Sequence, residues 1–171
     1  MSIMVNTTPE TVFVQPLATT AFAPYGDVLD AAGAPDRLIN QGLCGRWHDR
    51  AQLDFGPDGR AGISILQADV QQLPYQLDLL ERHPEASQAF IPISGGTFLV
   101  VVADDQNGVP ANIKAFQTAP GQAVNIRRNV WHGVLTPLTA PGLFAVIDRI
   151  GATPNLQEHW LTLSVTIQKQ G

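Results

Sequence analysis

Residues 80–103 read LERHPEASQAFIPISGGTFLVVVA. Two apolar runs, 88–93 and 97–103, flank the pair Gly95-Gly96. Short runs rich in Val, Ile and Phe and broken by glycines read as strands joined by a hairpin or tight turn. The texture continues both ways. Residues 11–14, 63–70, 123–126, 131–135, 144–150 and 160–167 are further strand-like runs. Turn signals recur about every ten residues, the rhythm of a β-sandwich or barrel. Fifteen glycines and thirteen prolines, spread along the chain, favour many short elements. Residues 77–82 have helical propensity, but Pro74 and Pro84 bracket them closely, so they are read as a strand. Helix is limited to single turns. One is predicted at 20–25 with Thr19 or Thr20 as its cap, and another at 112–116.

The chain has 171 residues, which is one domain of ordinary size, 1–171. Apolar residues make up 44% and charged residues 15%, enough material for a core and the opposite of a disordered composition. The net charge of −5 argues against a nucleic-acid partner. The N-terminal residues have neither the basic start nor the apolar core of a signal peptide. The longest aliphatic stretch is 98–103, whereas a membrane span needs about twenty residues. The single cysteine, Cys44, excludes an internal disulfide and fits a reducing compartment. A cytoplasmic protein without membrane or nucleic-acid partners is expected. Cys44 itself is read as an inert thiol between Gly42 and Gly45, and no neighbour in sequence activates it. The loops at 31–36 and 54–62 are too short to tether separate domains.

The chain carries no phosphate loop, HExxH, GxSxG or paired-cysteine motif. What stands out is ionisable residues inside strand-like segments: Glu81-Arg82-His83 before Pro84, the run RRNVWH at 127–132, and Asp148-Arg149. Alternation along a strand puts Glu81 and His83 on one face and Arg82 on the other. If the sheet closes, His83 and His132 meet inside its mouth, where small barrels hold ligands. His48, among charges in GRWHDR, is read as solvated. His159 beside Trp160 is given no role, and Trp131 is read as packing.

These spacings resemble the two motifs of the cupin superfamily. Glu81-x-His83-x4-Gln88-x6-Gly95 follows the first, and Arg127-x-Asn129-x-x-His132 the end of the second. The segments LERHPEASQAFIPISGGTFLVVVA, NIRRNVWHGVL (125–135) and FAVIDR (144–149), with AFAPYGDVL (21–29), are similar to ureidoglycolate lyases. The likeness runs in order from about residue 11 to residue 150. It implies a single-domain, all-β, cupin-like barrel of the double-stranded β-helix or jelly-roll type with few short helices. It also implies a homodimer that cleaves ureidoglycolate to glyoxylate and urea.

Two of the usual cupin ligands, His83 and His132, are present. Glu81 stands where the motif has its first His, and Gln88 where it has an acid. The resemblance therefore implies a weak site formed by Glu81, His83, Gln88 and His132. It would have no tightly bound cofactor and at most a loosely held divalent ion such as nickel. For the reaction, His83, His132 and Glu81 are the acid–base candidates. Arg82, Arg128 and Arg149 are candidate clamps for the substrate carboxylate, because a guanidinium fork gives two parallel bonds. Arg127 is read as a surface ion pair. Gln88 and Asn129 are candidates to hydrogen-bond the ureido group. Two alternatives stay open at this stage. One is an amidohydrolase releasing ammonia and carbon dioxide from the same substrate, and the other is a non-catalytic cupin that binds a small acid.

Overall fold

The computed structural model describes residues 10–171. The N-terminal stretch read above for a leader lies largely outside them. In chain order the elements are β1 (Thr11–Pro16), α1 (Thr19–Phe22), β2 (Gly26–Leu29), β3 (Arg37–Ile39), β4 (Cys44–Arg46), β5 (Arg60–Gln67) and β6 (Tyr75–Arg82). They continue with β7 (Gln88–Pro92), β8 (Phe98–Gln106), β9 (Val109–Gln117), β10 (Ala123–Ile126), β11 (Trp131–His132), β12 (Thr136–Pro137), β13 (Leu143–Ile150) and β14 (Gln157–Gln168). The expected all-β architecture is present. No helix of the described residues is long and apolar enough to cross a membrane.

One sheet runs β11-β6-β14-β1-β9-β8-β12, and β11 also pairs with β8, so the ring closes. A second sheet, β2-β10-β7-β13-β5, packs against it. β3 and β4 form a small ribbon, and Cys44 is exposed on it. Strand β8 explains the long aliphatic run. Phe98, Val100 and Val102 face the space between the sheets, where they join Phe22, Phe90, Phe116, Val124, Ile126, Phe144 and Val146. Leu99, Val101 and Ala103 face the other way, into a cluster with Leu77, Leu80, Trp131, Val165 and Ile167. A strand covered on both faces reads as a continuous hydrophobic stretch. β5 is the contrast. It is the edge of its sheet, and Ile63 and Ile65 on its outer face are 73% and 63% exposed.

Three local expectations are corrected. β7 and β8 are not a hairpin, because they belong to different sheets and the 93–97 turn carries the chain between layers. The hairpin is β8–β9, with Gln106 opposite Val109. Its two-residue turn, Asn107-Gly108, has φ of 55° and 84°, the left-handed pair that matches strand twist. Residues 112–116 are strand rather than helix, because Val100, Val101 and Val102 pair with Phe116, Ala115 and Lys114. Cross-strand packing there outweighs the local preference. Helix α1 starts from Ala18, which has no side chain to cap with, so neither threonine caps it.

Candidate active site

Glu81 is the penultimate residue of β6, and His132 is the last of β11. They stand directly opposite one another in the antiparallel register. His132 also stands opposite Val102 on its other side. Val102 faces the inter-sheet core, so cross-strand partners on that face point the same way. Glu81 and His132 therefore face inward. Their neighbours Arg82 and Trp131 face the second cluster, where the Arg82 guanidinium lies 4.3 Å above the Trp131 ring.

His83 follows immediately after β6. The side-chain ligand atoms of Glu81, His83 and His132 all lie within 4.8 Å of one another. The two imidazole centroids are 5.4 Å apart, and His83 Nε2 is 4.0 Å from Glu81 Oε1. Gln88 opens β7, opposite Ile126 and two residues before the core residue Phe90. The Phe90 ring meets His132 edge-on at 6.3 Å.

The hydrogen bonds of the two histidines fix their chemistry. His83 Nδ1 lies 2.7 Å from the Asn155 carbonyl, and His132 Nδ1 lies 2.9 Å from the Gly133 carbonyl. A carbonyl only accepts, so each Nδ1 carries the hydrogen and each neutral ring has a bare Nε2. Among the described residues, four buried side-chain atoms have no hydrogen-bond partner, and three are His83 Nε2, His132 Nε2 and Gln88 Oε1. Buried polar atoms without partners are costly, and two of these acceptors, the Nε2 atoms of His83 and His132, lie in one cluster with Glu81, where a ligand could satisfy them.

Burial drives the proton affinities. His132 is 1% exposed, and its pKa is pushed down to about 4. Burial is the main cause; the Gly133 carbonyl opposes it and the neighbouring His83 adds to it. Burial raises Glu81 above the usual carboxylate range, which His83 offsets and Glu158 reinforces. Both shifts have one cause, since burial disfavours the charged form of a carboxylate and of an imidazole alike.

The donor set suits a divalent cation. Two imidazoles with Nδ1 held by carbonyls and one carboxylate, from His83, His132 and Glu81, offer mixed nitrogen and oxygen ligation. Two of those donor atoms, His83 Nε2 and His132 Nε2, otherwise go unpartnered.

The arginines are distributed differently. Arg82 is turned away, bonded to Asp105 at 2.8 Å and Gln157 at 2.7 Å. Arg149 alternates with the inward-facing Phe144 and Val146, so it lies on the outer face of its sheet. There it donates to the Phe55 carbonyl at 3.1 Å and pairs with Glu85 at 3.2 Å. Arg128 sits in the 127–130 turn beside the His83 turn. Its Nε donates to the Pro84 carbonyl at 2.6 Å, and Nη1 is 3.7 Å from Asp54. Its side chain is 45% exposed, so part of the fork is free. Arg127 pairs with Asp27 at 3.5 Å. Asn129 is exposed, and its N–H donates to the His83 carbonyl at 2.9 Å, tying the two turns together.

A depression of about 380 Å³ is lined by Gln52, Asp54, Ser87, Arg127 and Arg128. A larger one of about 630 Å³ lies elsewhere, among Gln71, Pro74, Thr97, Gln117 and Lys169, and takes none of the polar cluster. Size does not single out the polar cluster; its unpartnered imidazole nitrogens do. His48 is exposed, and His159 packs edge-on against Trp131 at 6.0 Å. Asn155 and Glu85 support the site without having been foreseen from the sequence.

A closed all-β barrel with an inward His–His–Glu cluster at one end is the architecture of a cupin-type enzyme. The family model for ureidoglycolate lyase matches residues 9–168. A ureidoglycolate lyase of Rhodobacter capsulatus is 57% identical over 93% of this chain and 99% of its own length. Ureidoglycolate lyase 2 of Rhizobium meliloti is 49% identical over 86% of this chain and 91% of its own. A homologue of the same name in Mesorhizobium japonicum is 48% identical over 84% and 89%. The chain belongs to the ureidoglycolate lyase family, and it is an enzyme.

Proposed function

We propose that this enzyme cleaves ureidoglycolate to glyoxylate and urea, and that Glu81, His83, Gln88 and His132 form its reaction centre. The observation that carries the reading is the convergence of two unpartnered buried imidazole nitrogens on a carboxylate in a chain of this family. The substrate has a carbinol hydroxyl and a ureido nitrogen on one carbon. The reaction takes the hydroxyl proton, forms the aldehyde carbonyl and breaks the C–N bond. The bonding pair leaves on nitrogen, which takes up a proton.

Glu81 suits that proton transfer, because burial brings a carboxylate nearer to neutrality, where proton exchange works best. It accepts the hydroxyl proton and hands it to the departing nitrogen. His132, with a pKa of about 4, is neutral at pH 7 and a poor base but a sound acceptor or ligand. His83, whose Nε2 lies 4.0 Å from Glu81 Oε1, serves through that bare nitrogen as an acceptor or ligand beside the carboxylate. Arg128 is the candidate clamp for the substrate carboxylate, since Arg82 and Arg149 are occupied elsewhere. Gln88 and the nearby Asn129 are candidates to bond the ureido group.

A divalent ion such as nickel would be held loosely by Glu81, His83, Gln88 and His132. When bound it supplies Lewis-acid polarisation of substrate oxygens. Loss of metal during dialysis against chelator is expected, and a full equivalent retained would contradict the weak-site reading. A cytoplasmic location fits the exposed, unpaired Cys44. We also infer a two-fold homodimer. The exposed Ile63 and Ile65 on the open-edged sheet offer an apolar face for a second copy. Light scattering at micromolar concentration should give twice the chain mass.

The test of the reaction is product analysis. Purified protein is incubated with ureidoglycolate, with and without chelator, and urea, ammonia and glyoxylate are measured together. Urea and glyoxylate should appear in equal amounts without ammonia. Ammonia in place of urea would mean the amidohydrolase, and no turnover would mean a binding protein.

A further inference from the structure

The β13–β14 connection carries no cluster residue, yet it is fastened to the site by several bonds. The Asn155 carbonyl receives the His83 Nδ1–H at 2.7 Å. The Asn155 side-chain oxygen receives the Glu85 backbone N–H, also at 2.7 Å. One residue thus grips both ends of the three-residue turn His83-Pro84-Glu85. The Glu85 carboxylate then closes the clasp. It accepts from the Thr153 hydroxyl and pairs at 3.2 Å with Arg149, whose side chain is 4% exposed. Any side chain on Gly59 or Gly151 would collide with Arg149, so these two glycines let the loops close over it.

The clasp has a chemical consequence. Without the Asn155 carbonyl, a neutral His83 has little reason to place its hydrogen on Nδ1. The Nε2 tautomer would fill the site with a donor where an acceptor is needed. The carbonyl stays in place because the Asn155 side chain is tied to Glu85 N–H. Only an acceptor of that length reaches it.

We propose that Asn155 is a positioning residue of the site: its carbonyl sets the tautomer of His83, and its side chain holds that carbonyl in register. This rests on the reading of His83 as a working group of the site, and the test separates the two.

The experiment is long-range ¹H–¹⁵N NMR of protein labelled with ¹⁵N-histidine and stripped of metal, joined to calorimetric titration with Ni²⁺. In the wild type, His83 should carry its hydrogen on Nδ1. Asn155→Ala should populate the Nε2–H form of His83 and leave His132 unchanged. Nickel affinity should fall by about 10- to 100-fold, the usual effect of removing a partner behind a ligand. Asn155→Asp, which keeps an acceptor for Glu85 N–H, should restore most of both. Thr153→Val, which cuts only the outer tie, should leave the tautomer alone, so general loosening of the loop would be recognised. Asn155→Ser, too short to reach Glu85, replaces the alanine variant should that not fold. A wild-type His83 protonated on Nε2 overturns the proposal. So does a folded Asn155→Ala with wild-type tautomer and nickel affinity. If the tautomers behave as stated but the wild type takes no nickel, the metal reading fails and the positioning role stands.

Discussion

The space between the two sheets has two ends built on different rules. At one end, near the turn from β7 to β8, Phe98 and Phe144 meet edge-on at 5.0 Å among apolar side chains, and the buried Thr118 hydroxyl is satisfied by the Phe98 N–H. At the other end the same strands deliver Gln88 and Val102, and Gln88, His83 and His132 each leave an acceptor bare. The first end is buried throughout, and the second sets the buried His132 among the half-buried Glu81, His83 and Gln88. The first gains from burial, roughly 1.5–3 kcal/mol for each large apolar side chain. The second loses by it, because unpartnered polar atoms cost about 1–3 kcal/mol each. A fold tolerates such a loss where function requires it. The apolar end is therefore read as the source of stability and the polar end as the source of chemistry.

The largest expected effect is at Glu81, the proposed proton carrier. Glu81→Gln keeps shape but cannot exchange the proton, and kcat/KM should fall by about 10²- to 10⁴-fold, with the unfolding midpoint little changed. Steady-state urea release and a thermal melt check both halves. Phe144→Ala is the mirror image. It should cost about 3–5 kcal/mol of stability, measured by urea denaturation, while the folded fraction keeps its turnover.

A pH series sharpens the contrast further. The pKa of His132 is about 4 in the fold against 6.5 unfolded. Between these values the unfolded chain binds a proton that the native state refuses. The contribution of His132 is thus complete above pH 6.5 and is lost as pH falls towards 4, about 3 kcal/mol in all. Glu81, raised by burial, acts oppositely, since its share declines as pH rises through its folded value. Denaturation of metal-free protein at pH 7 and pH 4.5 should show a larger loss for wild type than for His132→Gln. Equal losses would remove His132 from the acid response.

The smallest expected effect separates the arginines. Arg128→Lys keeps the charge but not the fork, so KM should rise about 10-fold or more. Arg82→Lys should disturb the Asp105, Gln157 and Trp131 contacts and leave KM unchanged. Were the two variants to behave alike in KM, Arg128 would not be the clamp.

How much of this the sequence carried depends on the kind of signal. The six-residue run of β8 and the period-two placement of Glu81 and His83 are written in residue types, and so they were legible. The 93–97 turn was not, because two glycines specify a reversal but not which sheet the chain enters next. The strand at 112–116 lacked a local signature, since its pairing with β8 decides it. Asn155 was invisible for another reason. It acts on His83 through a backbone carbonyl seventy-two positions away, and every residue has a carbonyl. Which arginine faces the site was undecided too, because alternation gives a parity but not which side is inner.

The most direct test of the central claim is one substitution read two ways. His132→Leu replaces an orphaned buried imidazole with an apolar side chain of similar size. Melting temperature and urea release from ureidoglycolate are measured on the same preparation. The melting temperature should stay within a few degrees of wild type, since the lost Gly133 bond and the relieved Nε2 roughly offset, while urea release falls at least 100-fold. A variant that melts far lower yet still releases urea at the wild-type rate would contradict the division between the two ends.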